Sequence, residues 1–162
     1  MKKNRLSHFD DAGSPRMVDV SAKPETARSA VAHALVRIRP SVLKRLPQNP
    51  KGNPLEIARV AGIAAAKRTA ELIPLCHPLL LTHVDVELRV ERQGVRITTS
   101  ASTTGTTGVE MEALTAAAVA ALTVYDMTKA LDKSIVIQDV CLVAKTGGKS
   151  GAFRRKAGGK RP

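Results

Sequence analysis

Aromatic side chains are almost absent from this sequence. Its 162 residues include no tryptophan, one tyrosine (Tyr125) and two phenylalanines (Phe9 and Phe153). A core without large rings has to be filled by Ala, Val, Leu and Ile, which let backbones approach closely but bury little area each. A subunit built this way gains by burying further surface against copies of itself, so a homo-oligomer is expected. The same scarcity argues against specific nucleic-acid binding through stacked bases.

Cysteine is also scarce. Cys76 and Cys141 stand alone, without CxxC spacing, which excludes a disulfide framework and suits a reducing compartment. Neither thiol forms a zinc-spaced set with His8, His33, His77 or His83, so no protein-bound metal is expected. Long apolar runs are missing too. The longest helical stretch is interrupted by Glu112, Thr115, Thr123 and Asp126, which excludes a membrane-spanning helix. The opening MKKNRLSHFDDAGSP is basic but enters no apolar run, unlike a secretory signal. A cytoplasmic location is the expectation.

The formal charge of +12 is concentrated at the ends. Lys2, Lys3 and Arg5 contribute three positive charges and Lys149, Arg154, Arg155, Lys156, Lys160 and Arg161 six, leaving +3 for residues 6–148. Basic, glycine-containing termini of this kind read as solvated. The organisation expected is a flexible leader over 1–15, a single α+β domain over 16–151 and a basic disordered tail over 152–162.

Within the domain, Met17–Val20 alternates like a short strand. Residues 28–39 carry enough alanine for a helix, but the alternation of Val36 and Ile38 with Arg37 and Arg39 favours a strand ended by Pro40. Ser41–Leu46 suggests a short helix and PQNPKGNP (47–54) a loop. Leu55–Ile73 reads as one helix closed by Pro74. In Leu79–Val90, Thr82, Val84, Val86 and Leu88 alternate with His83, Asp85, Glu87 and Arg89, the pattern of a half-buried strand. A turn at Gln93-Gly94 and a return strand from Val95 to Thr99 make it a hairpin. A loop at 103–108, a long helix over Val109–Leu131 and a strand over Ser134–Ala144 complete the chain. The order strand, helix, strand, strand, helix, strand is that of a ferredoxin-like α+β sandwich, an antiparallel sheet with helices packed on one face.

The long helix carries an unusual stripe. At about 100° per residue, with Glu112 as zero, Thr123 falls near +20°, Asp126 near −40°, Thr115 near −60° and Lys129 near −100°, while Glu110 points away. The stripe is either a solvent face or an occluded polar seam, and its few charges favour the seam. Glu112 and Asp126 lie 14 residues apart, about 21 Å along the axis, so one helix cannot bring both to one small group. Asp126 and Lys129, one turn apart, can pair. Leu75-Cys76-His77-Pro78 supplies a loop histidine and a thiol. AKTGGKSG (144–151) can offer ammonium charges and backbone N–H groups to phosphate oxygens. It is not a P-loop, because the first glycine position holds Val143. Lys51, beside Gly52, is another candidate phosphate contact.

Taken together, MVDVSAK (17–23), ARVAGIAAAKRTAELIPLCHPL (58–79), TGVEMEALTAAAVAALTVYDMTKAL (107–131) and AKTGGKSG resemble the motifs of the cyclic pyranopterin monophosphate synthase family, molybdenum cofactor biosynthesis protein C. The resemblance runs from about residue 6 to 153; the basic tail and the stretch 40–50 depart from it. It implies conversion of (8S)-3′,8-cyclo-7,8-dihydroguanosine 5′-triphosphate to cyclic pyranopterin monophosphate with release of pyrophosphate. Asp126 is then the principal acid/base residue and Lys129 its partner. Leu75, Cys76, His77, Met111 and Glu112 line the substrate pocket, Lys51 and Lys145 hold phosphate or assist, and Glu110 and Lys67 are further candidates. The resemblance also implies the ferredoxin-like fold and a homohexamer, a trimer of dimers, with sites between subunits. No protein-bound cofactor is implied, and Mg²⁺ could accompany the triphosphate. The competing reading is a non-catalytic ferredoxin-like protein that binds nucleotide or nucleic acid.

Overall fold

A computed structural model of the chain describes residues 8–10 and 12–156. The expected leader (1–15) and tail (152–162) therefore lie partly outside the described residues. The elements are β1 (Thr26–Arg37), α1 (Pro40–Leu43), a 3₁₀ turn (Leu46–Gln48), α2 (Pro54–Ala66), α3 (Thr69–Leu72), β2 (His83–Glu91), β3 (Gly94–Gly105), α4 (Glu110–Thr128), β4 (Val136–Thr146) and β5 (Phe153–Arg154). The sheet order is β2-β3-β1-β4-β5, with every neighbouring pair antiparallel. With α2 and α4 packed on one face, this is the ferredoxin-like α+β sandwich expected, with one short strand added at the edge. No helix among the described residues is long and apolar enough to cross a membrane.

Alternation decides which residues enter the core. In β1, Ala30, Ala32, Ala34 and Val36 are buried under the helices; in β3 the same face holds Val95, Ile97, Thr99, Ala101 and Thr103. Helix α4 meets them with Ala113, Ala116, Ala117, Ala120, Ala121 and Val124, all fully buried. Side chains this short bring helix and sheet backbones close. The Thr99 hydroxyl exploits the proximity, donating to the Ala113 carbonyl at 2.7 Å. The sequence periodicity of α4 is weak because most of its circumference is covered by α2, β1, β3 and β4.

Most boundaries shift by one to three residues from the sequence expectation, and four differences have a clear local reason. Met17–Val20 is not a strand: Asp19 accepts bonds from the Ser21 N–H (2.9 Å) and hydroxyl (2.6 Å), turning the chain after Val20. The helix expected over 55–73 breaks at Lys67-Arg68, where the Thr69 hydroxyl donates to the Ala66 carbonyl and separates α3 from α2. Residues 103–105 do not begin the loop. They continue β3, because Arg28, Ala27 and Thr26 pair with Thr103, Thr104 and Gly105. The tail does not start at 152, since Phe153 and Arg154 pair with Lys145 and Ala144.

Helix α2 packs closely on α4 at Gly62. A Cβ there would meet the Ala116 carbonyl oxygen at 3.0 Å, Val86 Cγ2 at 3.1 Å and Ala120 Cβ at 3.2 Å. Two of those three atoms cannot rotate away. Gly62→Val is expected to destabilise the fold by about 2 kcal/mol through overpacking, despite the gain in helix propensity. A urea-unfolding midpoint shifted to lower concentration checks this; an unchanged midpoint would show that α2 can slide outward.

Candidate functional site

The N-terminal end of α4 forms one wall of a cleft of about 370 Å³. Glu110, Met111 and Glu112 enter it from the first turn of the helix, and Leu75, Cys76 and His77 from the loop after α3. Val18, Val20 and Lys23 close it from the segment preceding β1, so the alternation of that segment serves the cleft and not the sheet. The pocket residues expected from the sequence are thus gathered in one place.

A second basin, of about 750 Å³, adjoins it and shares Lys23, Thr107, Gly108 and Glu110. Its walls carry four cationic side chains, Lys23, Arg28, Lys145 and Lys149, against the single carboxylate of Glu110. Lys145 Nζ lies 2.8 Å from Glu110 Oε1 and 2.8 Å from Ser150 Oγ. Arg28 is held by backbone, its Nε donating to Gly105 O at 2.9 Å and its Nη2 to Thr106 O at 3.1 Å. Gly147 and Gly148 fold the following loop back against β1 at positive φ. A Cβ on the first would sit 2.3 Å from Ala27 O, and on the second 2.2 Å from Arg28 Nη1. The Thr26 hydroxyl, buried and without a protein partner, belongs to the same basin.

Glu112 is the least conventional group. It is 4% exposed and its Oε2 meets no donor. Burial pushes its carboxyl above the usual range, and the nearby Glu110 charge adds to this. The shift favours the protonated form, in which the carboxyl can donate. Cys76 is raised as well, by burial first and by Glu112 second, so it stays a thiol and is not a thiolate nucleophile. Lys67 does not line the main cleft. It shares with Glu112 a separate small cleft of about 120 Å³ behind the helix.

The remaining expected residues are elsewhere. At the C-terminal end of α4, Asp126 Oδ1 and Lys129 Nζ pair at 2.7 Å, both side chains about half exposed. Lys129 holds the Asp126 carboxyl below its usual range by hydrogen bond and charge, and Lys51 adds to the effect. The loop bearing Lys51 is tied there: Asn49 Nδ2 donates to Met127 O at 2.7 Å, and the Lys51 N–H to Asn49 Oδ1 at 2.9 Å. Tyr125, partly buried, precedes Asp126 on the same helix. The polar stripe on α4 is accordingly occluded at one end, where Glu112 and Thr115 are buried, and open at the other. One chain therefore holds two separate polar clusters, about 21 Å apart along the helix.

Sequence reasoning singled out neither Lys23, Arg28 nor Thr26, and Lys149 only as part of the glycine segment. Nothing local marks Arg28, which reads as a strand residue. Only the register of β1 with β3 and β4 sets it beside the glycine loop. Among the described residues, no three His, Cys, Asp or Glu side chains gather as metal ligands.

The MoaC family model matches residues 17–148. A cyclic pyranopterin monophosphate synthase of Parvibaculum lavamentivorans is 51% identical over 160 residues, covering 96% of this chain and all of the relative. Those of Streptomyces griseus and Roseiflexus sp. (strain RS-1) are 57% and 56% identical, over 95% and 91% of this chain and 88% and 96% of the relatives.

The burial of Glu112 has a measurable signature. Its raised pKa means that the folded chain retains a proton which the unfolded chain releases. The contribution to stability is complete below the unfolded value, about 4.3, and declines as pH rises toward the folded value. The stability of Glu112→Gln relative to wild type should increase from pH 4 to pH 7. Urea unfolding at the two pH values reads this; a constant difference would place Glu112 in solvent.

Proposed function

The chain belongs to the MoaC family, and from that premise we propose that it acts as a cyclic pyranopterin monophosphate synthase. In this reading it converts (8S)-3′,8-cyclo-7,8-dihydroguanosine 5′-triphosphate to cyclic pyranopterin monophosphate and pyrophosphate, an early step in building the molybdenum cofactor. The observation that supports it best is the continuity of the two clefts. A pocket lined by a buried carboxyl, a thiol and a histidine adjoins a cationic basin and shares four lining residues with it. A purine-derived ring and a triphosphate need these two environments side by side.

The chemistry divides in the same way. Lys23, Arg28, Lys145 and Lys149, with the N–H groups of Gly147 and Gly148, offset the charge on the β- and γ-phosphates. When a hydroxyl of the substrate attacks the α-phosphorus, the α–β phosphoanhydride bond breaks and pyrophosphate leaves into that basin. Opening the imidazole ring calls for proton donors at nitrogen, which Glu112 and His77 supply. Asp126, kept ionised by Lys129 and Lys51, takes protons from hydroxyl groups, and Lys129 returns them. The chain needs no resident cofactor for these steps, and Mg²⁺ enters only as a companion of the triphosphate.

Asp126 and Lys129 cannot reach the pocket of their own chain from the opposite end of α4. The reading therefore has each active site composed from two chains, the Lys51–Asp126–Lys129 group of one facing the Cys76–His77–Glu112 pocket of another, in a homohexamer that is a trimer of dimers. Ile57, Val60 and Leu122, exposed apolar residues on α2 and α4, supply surface for such association.

Pyrophosphate release from the cyclised triphosphate tests the assignment. Asp126→Ala and Lys129→Ala should each remain folded and lose at least about 100-fold in kcat. Mixing folded but inactive Asp126→Ala and Glu112→Gln chains, then allowing subunits to exchange, should restore part of the wild-type rate. Full activity of the single variants sinks the catalytic pair. Two dead parents without recovery on mixing sink the shared site.

A further inference from the structure

A third cleft, of about 600 Å³, opens at the far end of β1, between residues 37–40, the Arg92-Gln93 turn and the start of β4. Arg37, Arg39 and Arg92 line it, and no carboxylate does. Its apolar surface comes from Ile38, Pro40 and Val136. It shares no lining residue with either cleft described above. Nine residues of extended strand separate Arg37 from Arg28, about 30 Å, so the two basic regions cannot serve one small ligand on one chain.

Each arginine stands on a fixed support. Arg39 Nε donates to Asp132 Oδ2 at 2.7 Å, and Asp132 is buried, its other oxygen accepting from the Ser134 N–H (2.9 Å) and hydroxyl (2.7 Å). That contact orients the guanidinium by one of its five N–H groups and leaves the rest of the planar fork for a ligand. Arg92 lies in a two-residue turn pressed onto β1. A Cβ on Gly94 would sit 1.9 Å from Val36 O, and the Ile38 N–H donates to Gln93 O at 3.2 Å. Arg37 is the last residue of β1 and pairs with Gly94 on one side and Val136 on the other. The three arginines thus line one cleft on backbone that does not have to reorganise to receive an anion, which confines the ordering cost of binding to the side chains.

We propose that this cleft is a second ligand site, which takes a phosphorylated small molecule of nucleotide size, with phosphate oxygens on Arg37, Arg39 and Arg92 and its apolar part over Ile38, Pro40 and Val136. Guanidinium forks match phosphate oxygens in pairs, and the cleft volume lies within the range of small-ligand sites, about 300–1,000 Å³. The apolar floor distinguishes a nucleotide from a bare polyphosphate, which would find nothing to cover it.

Calorimetric titration of the full-length chain with GTP, and separately with inorganic pyrophosphate, tests the site at one fixed salt concentration. A Lys145→Ala background weakens the basin beside α4. GTP should still bind there, and more tightly than pyrophosphate. Adding Arg37→Ala with Arg92→Ala, both exposed positions, should weaken that binding at least tenfold. The same pair in the wild-type background should leave pyrophosphate release from the cyclised triphosphate unchanged. GTP binding indifferent to the arginine pair overturns the proposal, and so does equal affinity for GTP and pyrophosphate.

Discussion

The close approach of α4 to its surroundings is the constraint on which the rest of the molecule depends. Five fully buried alanines on that helix meet Gly62 of α2 on one side and the alanine row of β1 on the other. Methyl-sized contacts give each residue little buried area, so cohesion has to come from packing density and from bonds such as Thr99 to Ala113 that short distances permit. A helix seated this tightly behaves as a rod. Its two ends are held at a set distance and orientation by the sheet, and neither can swing toward the other.

That rigidity shapes the chemistry. The buried end presents a carboxyl forced toward its neutral form, and the exposed end presents a carboxylate held ionised by two lysines. Opposite protonation tendencies are thus created on one helix by burial at one terminus and by charge at the other. Separating them prevents the two acids from titrating as a coupled pair. In the proposed reaction a single chain is then an incomplete acid–base apparatus, and that proposal requires association.

Much of this was legible in the residues. The hairpin was visible from the alternation of 82–89 and the turn signal at Gln93-Gly94, although the turn itself falls one residue earlier, at Arg92-Gln93. The order of elements led to the correct sandwich, and the helical rise alone showed that Glu112 and Asp126 of one chain could not grip the same small group. Other features depended on pairing partners distant in sequence. Thr103–Gly105 look like loop until β1 is laid beside them, and Arg28 gains its place only through the same register. The break between α2 and α3 rests on one hydroxyl of Thr69 turning back to the helix, which no periodicity records. The burial of Glu112 was suggested by the thinness of the polar stripe, but that stripe reads the same at its exposed end.

The lone tyrosine has a consequence for optics. Tyr125 adjoins Asp126 and is partly buried, and the chain contains no tryptophan to receive or mask its emission. Its ring is therefore a natural lamp fixed at one half of the proposed active site. Changes in its brightness report directly on the surroundings of Asp126 and Lys129, without any label being attached.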